Sequence, residues 1–419
     1  MTLLADLLST VFERRTRRES SEVIEDGRPL TDLATALVGS AGETTGLALA
    51  REILMRFSTL GDAEKLAFFR DIATLMNIDP EEVRGTLDDY ERTPSKASYR
   101  AFASAAEPKR QELIRRLNRL PGATERLVNM RGDLLRLGRG DPELEALDLD
   151  FRHLFSSWFN RGFLVLRPIS WESPAHILEK IIAYEAVHAI GSWDDLRRRL
   201  EPADRRCFAF FHPSMPDEPL IFVEVALTKG IPDSVQALLA EDRDAMPATA
   251  ADTAVFYSIS NCQSGLASIS FGNSLIKQVA SDLSAELDGL DTFVTLSPIP
   301  GLTKWLKKQG VNWNVDDPEN VKSLAAHYLL NAKNKGGLPL DPVARFHLGN
   351  GALVHAVHAD ADISDKGRGQ SGGAMVNYLY DLPQVAQNHE NFATTREVKA
   401  SADVLALAGL TTLPIAEER

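Results

Sequence analysis

The strongest constraint on the fold is a change in the hydrophobic pattern near residue 160. In residues 42–57, 63–76, 109–120 and 123–137, apolar residues recur at spacings of three and four, which is typical of helices with one buried face. Asp79 followed by Pro80 adds a helix start, with Asp as N-cap and Pro in the first turn. No strand is predicted here. The pattern therefore predicts a helical bundle in residues 1–158.

Beyond residue 162, short runs rich in aromatic and branched side chains alternate with helical patterns. The strand-like runs are 163–166, 207–211, 220–226, 255–260, 293–296 and 353–357, and the helical patterns are 174–187, 272–287 and 321–330. This alternation predicts a mixed α/β layer structure in residues 159–419. Because 419 residues exceed the size at which one core keeps growing, we expect two domains of overall α+β class.

Composition excludes several classes of protein. The apolar stretches are far shorter than the ~20 residues of a membrane-spanning helix, and a net charge of -13 disfavours broad nucleic-acid binding. Cys207 and Cys262 are the two cysteines, which disfavours a disulfide framework or a cysteine zinc site and fits a reducing compartment. Near the N-terminus apolar residues precede basic ones, the reverse of a secretory signal. We expect a cytoplasmic protein without nucleic-acid or membrane partners.

Two patterns that suggest ligands are set aside. Residues 367–372 fit GxGxxG but follow a polar stretch instead of a strand, so they are interpreted as a glycine-rich loop and not as a dinucleotide site. His355, His358, Asp360 and Asp362 are residue types that bind metals. The two histidines are three apart on a predicted strand and should therefore point to opposite faces. No metal site is predicted.

Residues 254–277 combine a strand, a loop of small residues and a helix. Such a junction directs backbone N–H groups and the positive end of a helix towards an anion, for example a diphosphate. The same pattern also fits an ordinary connection between a strand and a helix, and the local sequence favours that interpretation.

Ser297 and His347 each allow two interpretations. Ser297 ends a strand and precedes Pro298; this favours a cap for the helix that contains Trp305, although it would also fix a hydroxyl at the strand end. His347 shares one face of a short helix with Phe346, and a histidine in such a place is more often a core residue than a catalytic one. Both alternatives stay open from the local sequence.

Eight segments, taken in order, resemble the malonyl-CoA decarboxylase family. They are RPISWESP (167–174), EAVH (185–188), HPSMPDEP (212–219), VALT (225–228), FYSIS (256–260), LSPIPG (296–301), FHLGNG (346–351) and NYLY (377–380). Together they extend over most of residues 159–380. The resemblance implies a helical oligomerisation domain, 1–158, and a catalytic acyl-CoA-binding domain, 159–419. The implied catalytic fold is that of Gcn5-related acetyltransferases, with CoA across a splayed central sheet.

The resemblance further implies an enzyme that converts malonyl-CoA to acetyl-CoA and CO2 without a cofactor or metal. The thioester would carry the charge as an enolate, with Ser297 and His347 as the proton-transfer pair. The implied acyl-CoA-binding residues are Ala267, Ser268, Ile269, Ser270, Phe271, Gly272, Asn273, Ile276 and Tyr380. The implied assembly is a homotetramer built as a dimer of dimers. The C-terminal Arg419 replaces the peroxisomal Ser-Lys-Leu of some eukaryotic members, which favours a bacterial cytoplasm.

Alternative functions on the same acyl-CoA platform are a Gcn5-type acyltransferase, a non-enzymatic acyl-CoA-binding regulator and a serine hydrolase. Malonyl-CoA alone would distinguish them, because only the decarboxylase releases CO2 without an acceptor.

Overall fold

The computed structural model describes residues 27–269 and 275–411, and the chain divides into two compact units between Leu154 and Phe155. All regular elements described in the first unit are helices, as the periodicity predicts. They are α1 (Leu30–Gly39), α2 (Glu43–Thr59), α3 (Asp62–Leu75), α4 (Pro80–Arg92), α5 (Lys96–Ala105), α6 (Lys109–Leu117), α7 (Ala123–Leu137) and α8 (Pro142–Trp158), which continues into the second unit.

Local signals and apolar packing together shape this helical unit. The predicted cap is confirmed, because the Asp79 carboxylate accepts a hydrogen bond from the Glu81 N–H at 2.9 Å at the start of α4. The rings of Phe57 and Phe69 pack with their centroids 5.4 Å apart in the core. Burial of such apolar surface supplies most of the stability that helices of this length lack in isolation.

The second unit is built on one mixed sheet that is flanked by helices, and this confirms the predicted α+β class. Its strands are β1 (Val165–Ile169), β2 (Arg205–His212), β3 (Met215–Thr228), β4 (Thr253–Asn261), β5 (Thr292–Thr295), β6 (Ser297–Pro298), β7 (Leu353–His358) and β8 (Met375–Leu379). The order is β1-β2-β3-β4-β5-β8, with β6 and β7 also paired to β8. All described strand pairs are antiparallel except β4 and β5.

The helices of this unit are short. They are α9 (Ala175–Tyr184), α10 (Trp193–Leu200), α11 (Val235–Leu239), α12 (Leu275–Glu286), α13 (Leu302–Lys308), α14 (Pro318–Asn331), α15 (Pro342–Gly349), α16 (Asp365–Ser371), α17 (Val385–Thr395) and α18 (Ala402–Gly409). Ile181 of α9 packs with Phe222 in one apolar cluster, and Val235 of α11 packs with Val255 in another. In the described part of the chain, no helix is long and apolar enough to cross a membrane.

The central sheet splays open where its parallel strands separate. The pairing of β4 with β5 runs from Thr253 and Thr292 to Phe256 and Thr295, and one further bond joins Leu296 N–H to the Phe256 carbonyl at 3.1 Å. Strand β4 then continues to its end with β3 as its partner. The second unit thus has the splayed sheet that the family resemblance predicts.

Two local predictions are wrong. Ser297 does not cap a helix: it lies in β6, and α13 begins only at Leu302 with Gly301 as N-cap. The predicted glycine-rich loop at 367–372 is largely helical, because the Ser364 hydroxyl caps α16 by accepting from Gly367 N–H at 3.1 Å. Gly372, in the left-handed conformation, ends that helix; glycine adopts this conformation at little cost.

Candidate active site

A break in the ladder of the sheet places the Ser297 side chain. Leu296 separates β5 from β6, and both strands pair with β8. At the break, hydrogen bonds between a side chain and the backbone take the place of the backbone hydrogen bonds between strands. The Tyr378 N–H donates to Thr295 Oγ1 at 3.1 Å, and the Asn377 amide donates to the Thr295 carbonyl at 2.8 Å. Because these groups are buried and paired, the backbone that leads to Ser297 is held in one position.

The short helix α15 places His347. Asp341 caps it, since one carboxylate oxygen accepts the N–H groups of Val343 and Ala344, each at 2.9 Å. The imidazole lies almost parallel to the Tyr378 ring, with centroids 4.5 Å apart and an interplanar angle of 21°. A capped helix and a stacked ring leave His347 little freedom of orientation.

Four buried side chains form one hydrogen-bonded chain. His347 Nε2 lies 3.2 Å from Ser297 Oγ, and its Nδ1 lies 2.8 Å from the Tyr380 hydroxyl oxygen. Ser297 in turn donates its hydroxyl hydrogen to Thr295 Oγ1 at 2.8 Å. Only 5% of Ser297 and 2% of His347 is exposed. Polar groups that are linked in this way inside a protein interact more strongly than they would in water.

Burial shifts the pKa values of the side chains in this hydrogen-bonded chain. Removal from water lowers the pKa of His347 to about 3, because desolvation disfavours the charged imidazolium. The same effect raises the pKa of Tyr380 well above its usual value. The imidazole and the phenol are therefore both neutral at neutral pH.

A cavity of about 360 Å³ opens beside the Ser297–His347 pair. It lies where β4 has separated from β5, and most of its lining is apolar. The lining residues are Val187, Phe256, Tyr257, Ile259, Asn261, Ser297, Pro298, Pro342, Val343, Phe346 and His347. A largely apolar cavity with a few convergent polar groups is the usual form of a small-molecule site. A ligand in it would meet both the serine hydroxyl and the imidazole.

One wall of the cavity is held by Glu185, at the end of α9. Its carboxylate accepts the N–H groups of Val187 at 2.7 Å and His188 at 2.8 Å, and the Ser258 hydroxyl donates to it. Lys366 donates to the carbonyl of Val187 from the other side, at 3.2 Å. These contacts fix the backbone that presents Val187 to the cavity.

Residue 301 is a glycine because there is no room for a side chain at this position. Its φ of -97° suits any residue, but a Cβ there would collide with the hydroxyl oxygen of Tyr328 and lie 3.2 Å from its Cζ. Tyr328 is 1% exposed. Gly301 thus allows the segment between β6 and α13 to pass directly against α14.

The structure brings together three of the predicted site residues: Ser297, His347 and Tyr380. The predicted acyl-CoA residues Ala267, Ser268 and Ile269 follow a 3-10 turn after β4, and Ser268 has a positive φ of 64°. Ile276 is fully buried in α12. The remaining predicted residues, Ser270, Phe271, Gly272 and Asn273, lie outside the described residues.

Sequence reasoning missed Thr295 and Tyr378 as parts of the site. A signal for Thr295 was present, because residues two apart in a strand point to the same face, and Thr295 precedes Ser297 by two. No local signal existed for Tyr378, whose contact with His347 depends on the pairing of β8.

Of the two histidines considered as metal ligands, His358 has another side-chain partner, because its Nε2 hydrogen-bonds to the Asn377 side chain. His355 contributes its backbone carbonyl, which accepts the Ser401 hydroxyl at 2.7 Å. Within residues 27–269 and 275–411, no group of three or more His, Cys, Asp or Glu side chains is placed to hold a metal ion.

Comparison with known proteins gives consistent results over both units. Residues 76–159 match the family model "Malonyl-CoA decarboxylase N-terminal domain", and residues 162–317 and 316–414 match "Malonyl-CoA decarboxylase C-terminal domain". The mitochondrial malonyl-CoA decarboxylase of Anser anser anser is 36% identical over 349 residues, which cover 71% of this chain and 69% of the relative.

Solved structures agree with the sequence matches. The crystal structure of malonyl-CoA decarboxylase from Rhodopseudomonas palustris is 47% identical, with a TM-score of 0.85 over 90% of this chain and 98% of the other. The enzyme from Agrobacterium vitis is 48% identical, with the same TM-score, over 90% and 99%. Together with the domain matches, this similarity shows that the chain belongs to the malonyl-CoA decarboxylase family.

Proposed function

We propose that this protein is a carboxy-lyase that converts malonyl-CoA to acetyl-CoA and CO2, with Ser297 and His347 as its catalytic pair. Family membership supports the reaction. The observation that carries the assignment of residues is the 3.2 Å contact between Ser297 Oγ and His347 Nε2 at the wall of the cavity. It places a hydroxyl and an imidazole where both can reach one bound acyl group.

The reaction requires little from the protein beyond position and proton transfer. The carbonyl of the thioester lies β to the departing carboxylate. When the bond between C2 and the carboxylate breaks, CO2 leaves and the electron pair enters an enolate. One proton, supplied from water in each turnover, then replaces CO2 on C2. The substrate thus contains its own electron acceptor, and the proposed mechanism uses no metal or prosthetic group.

The pair would act on both stages of this reaction. Ser297 would hydrogen-bond the carboxylate or the enolate oxygen, and this stabilises charge that develops in an enclosed site. His347 would be the acid whose proton reaches C2, directly or through Ser297. The low pKa of His347 fits a neutral imidazole in this role, because the enolate is a stronger base than the imidazolate that remains after the N–H proton is transferred.

The CoA portion is proposed to bind along the strand-to-helix junction after β4. Backbone N–H groups of residues 267–273 would hold the diphosphate, which suits the small side chains of that stretch. Ile276 and Tyr380 complete the set that the family resemblance implies.

Activity assays of matched variants test the catalytic pair. Ser297→Ala and His347→Ala should each lower CO2 release by roughly 100-fold or more, as expected for loss of a proton-transfer group, with CoA binding largely kept. Ser323→Ala serves as a control, since Ser323 is also buried but lies in α14. Near-normal turnover in both active-site variants would exclude the pair.

Analysis of the products formed from malonyl-CoA alone tests the reaction itself. Acetyl-CoA and CO2 are expected. Tight binding without turnover would instead indicate a regulator, free CoA with malonate a hydrolase, and turnover that requires an amine acceptor an acyltransferase.

The proposal also includes a location and an assembly. A cytoplasmic enzyme agrees with Cys207 and Cys262, which are both buried free thiols. A homotetramer formed through the helical unit agrees with its large exposed apolar side chains, which offer contact surface. They are Leu75, Ile78, Leu87, Tyr99 and Leu149.

A further inference from the structure

Thr295 Oγ1 is a fixed hydrogen-bond acceptor next to the catalytic pair. It accepts the Tyr378 N–H at 3.1 Å and the Ser297 hydroxyl at 2.8 Å. The carbonyl of Thr295 is held by Asn377 at 2.8 Å, and the residue is fully buried. The threonine oxygen therefore cannot turn away from Ser297 without leaving a buried N–H unpaired, which is costly.

Counting hydrogens along the chain of side chains gives a single arrangement. A hydroxyl carries one hydrogen, and that of Ser297 points to Thr295. Towards His347, Ser297 can then only accept, so Nε2 must carry the hydrogen of the 3.2 Å contact. A neutral imidazole has one N–H. Its Nδ1 is thus an acceptor for the Tyr380 hydroxyl at 2.8 Å.

We propose that Thr295 is a positioning residue that fixes His347 in the Nε2–H tautomer by holding the hydroxyl hydrogen of Ser297. The effect on catalysis rests on the proposed decarboxylase function, whereas the tautomer does not. Reversal of the Ser297 hydroxyl would place the lone pair of Nε2 towards the serine, and the imidazole would then have no proton to give on that side.

The tautomer sets the direction of proton transfer. With the enolate bound, the Ser297 hydroxyl turns its hydrogen from Thr295 Oγ1 to C2, while its oxygen still accepts from His347 Nε2. The hydroxyl proton then forms the new C–H bond at C2, and Ser297 takes the proton from His347 Nε2. One O–H bond and one N–H bond break, and one C–H bond and one O–H bond form. The negative charge passes from the enolate to the imidazole, which regains its proton from water.

Two substitutions at position 295 distinguish the effect of the hydroxyl group from the effect of the side-chain shape. Thr295→Val keeps the shape and removes the acceptor, whereas Thr295→Ser keeps the acceptor and removes a methyl group. The probe is ¹⁵N NMR of protein with labelled histidine, with the His347 signals identified by their loss in His347→Gln. The wild type and Thr295→Ser should show protonated Nε2. In Thr295→Val the Nδ1–H form should become populated.

Kinetics on malonyl-CoA complete the test. Thr295→Val should lower kcat by roughly 10- to 100-fold, as expected for a misdirected catalytic group, with KM within about threefold. Thr295→Ser should keep wild-type kcat. An unchanged tautomer in Thr295→Val, or an equal loss of kcat in Thr295→Ser, would overturn the proposal.

A variant at the other end of the hydrogen-bonded chain provides a test that does not depend on the folding of Thr295→Val. Tyr380→Phe removes the donor to Nδ1 but leaves the Thr295–Ser297 bond, so Nε2–H should persist. A switch to Nδ1–H would show that Tyr380 and not Thr295 sets the tautomer. If the wild type does not turn over malonyl-CoA, the proposed function fails, and the NMR spectra still decide the tautomer.

Discussion

His347 illustrates how the surroundings of one residue decide its chemistry. Exposed histidines change charge near neutral pH, but His347 is 2% exposed and lies against Tyr378. Its ring nitrogens hydrogen-bond to the hydroxyl oxygens of Ser297 and Tyr380. Burial without a countercharge therefore keeps the ring neutral, and it can act as a donor without first taking up a proton.

This burial predicts a loss of stability in acid. Below pH ~6.5 the unfolded chain protonates this histidine, while the folded protein, with a His347 pKa of about 3, does not. The free energy of unfolding should thus fall as pH drops below ~6.5, by roughly 2 kcal/mol between pH 7 and pH 5 from this group. His347→Gln, which does not titrate, should lack that part of the loss.

Urea unfolding at both pH values measures this effect. His176→Gln is the matched control for a His-to-Gln substitution away from the site, because His176 has a side chain that is 52% exposed. Equal losses in the wild type and in His347→Gln would contradict the prediction.

At the scale of elements, the N-cap of α15 helps to determine the position of His347 in the site. Asp341 holds the first turn of this eight-residue helix, and His347 lies in its last turn. Short helices depend on their caps because few internal hydrogen bonds stabilise them. A loose first turn would therefore move the imidazole relative to Ser297, which is attached to the sheet.

We predict that Asp341→Ala lowers the free energy of unfolding by about 1–2 kcal/mol and lowers kcat as well, whereas Asp341→Asn, with an equivalent capping oxygen, has a smaller effect on both. Thermal unfolding and turnover of the two variants measure this difference. Equal stability and turnover of the two variants would show that the cap does not position His347.

Some of these helices and strands could be predicted from the local sequence, and others could not. The caps at Asp79 and Asp341 were predictable, because a cap depends on residues within one turn. The role of Ser297 was not, since a serine before a proline fits a helix start, and only pairing of β6 with the distant β8 makes it a strand. Helix α16 was missed because its glycines indicate a loop, while the cap at Ser364 favours the helix. Gly367 is a glycine because a Cβ there would collide with Asp362.

Three residues of the candidate site were predictable, but their arrangement was not. The family resemblance implied Ser297, His347 and Tyr380, which the structure joins in one chain of hydrogen bonds. The bond between Ser297 and His347 spans 50 positions in the sequence. No local pattern encodes a contact at that separation, and the part played by Thr295 depends on it.

At the scale of the whole molecule, the helical unit and the sheet unit have different proposed tasks, assembly and chemistry. Light scattering of the full chain should give four times the 46.1 kDa of one chain, since the exposed apolar side chains of the helical unit would be buried between copies. A mass of one chain at micromolar concentration would contradict the proposed tetramer.

The contact between Gly301 and Tyr328 has a consequence for how this protein can evolve. A larger residue at position 301 would force the Tyr328 side chain to shift, so it is destabilising until position 328 has changed to a smaller side chain. The order of the two substitutions therefore matters, because the route that begins at 301 passes through a less stable protein. Across descendants of this chain, the two positions should covary even though neither lines the cavity beside Ser297 and His347.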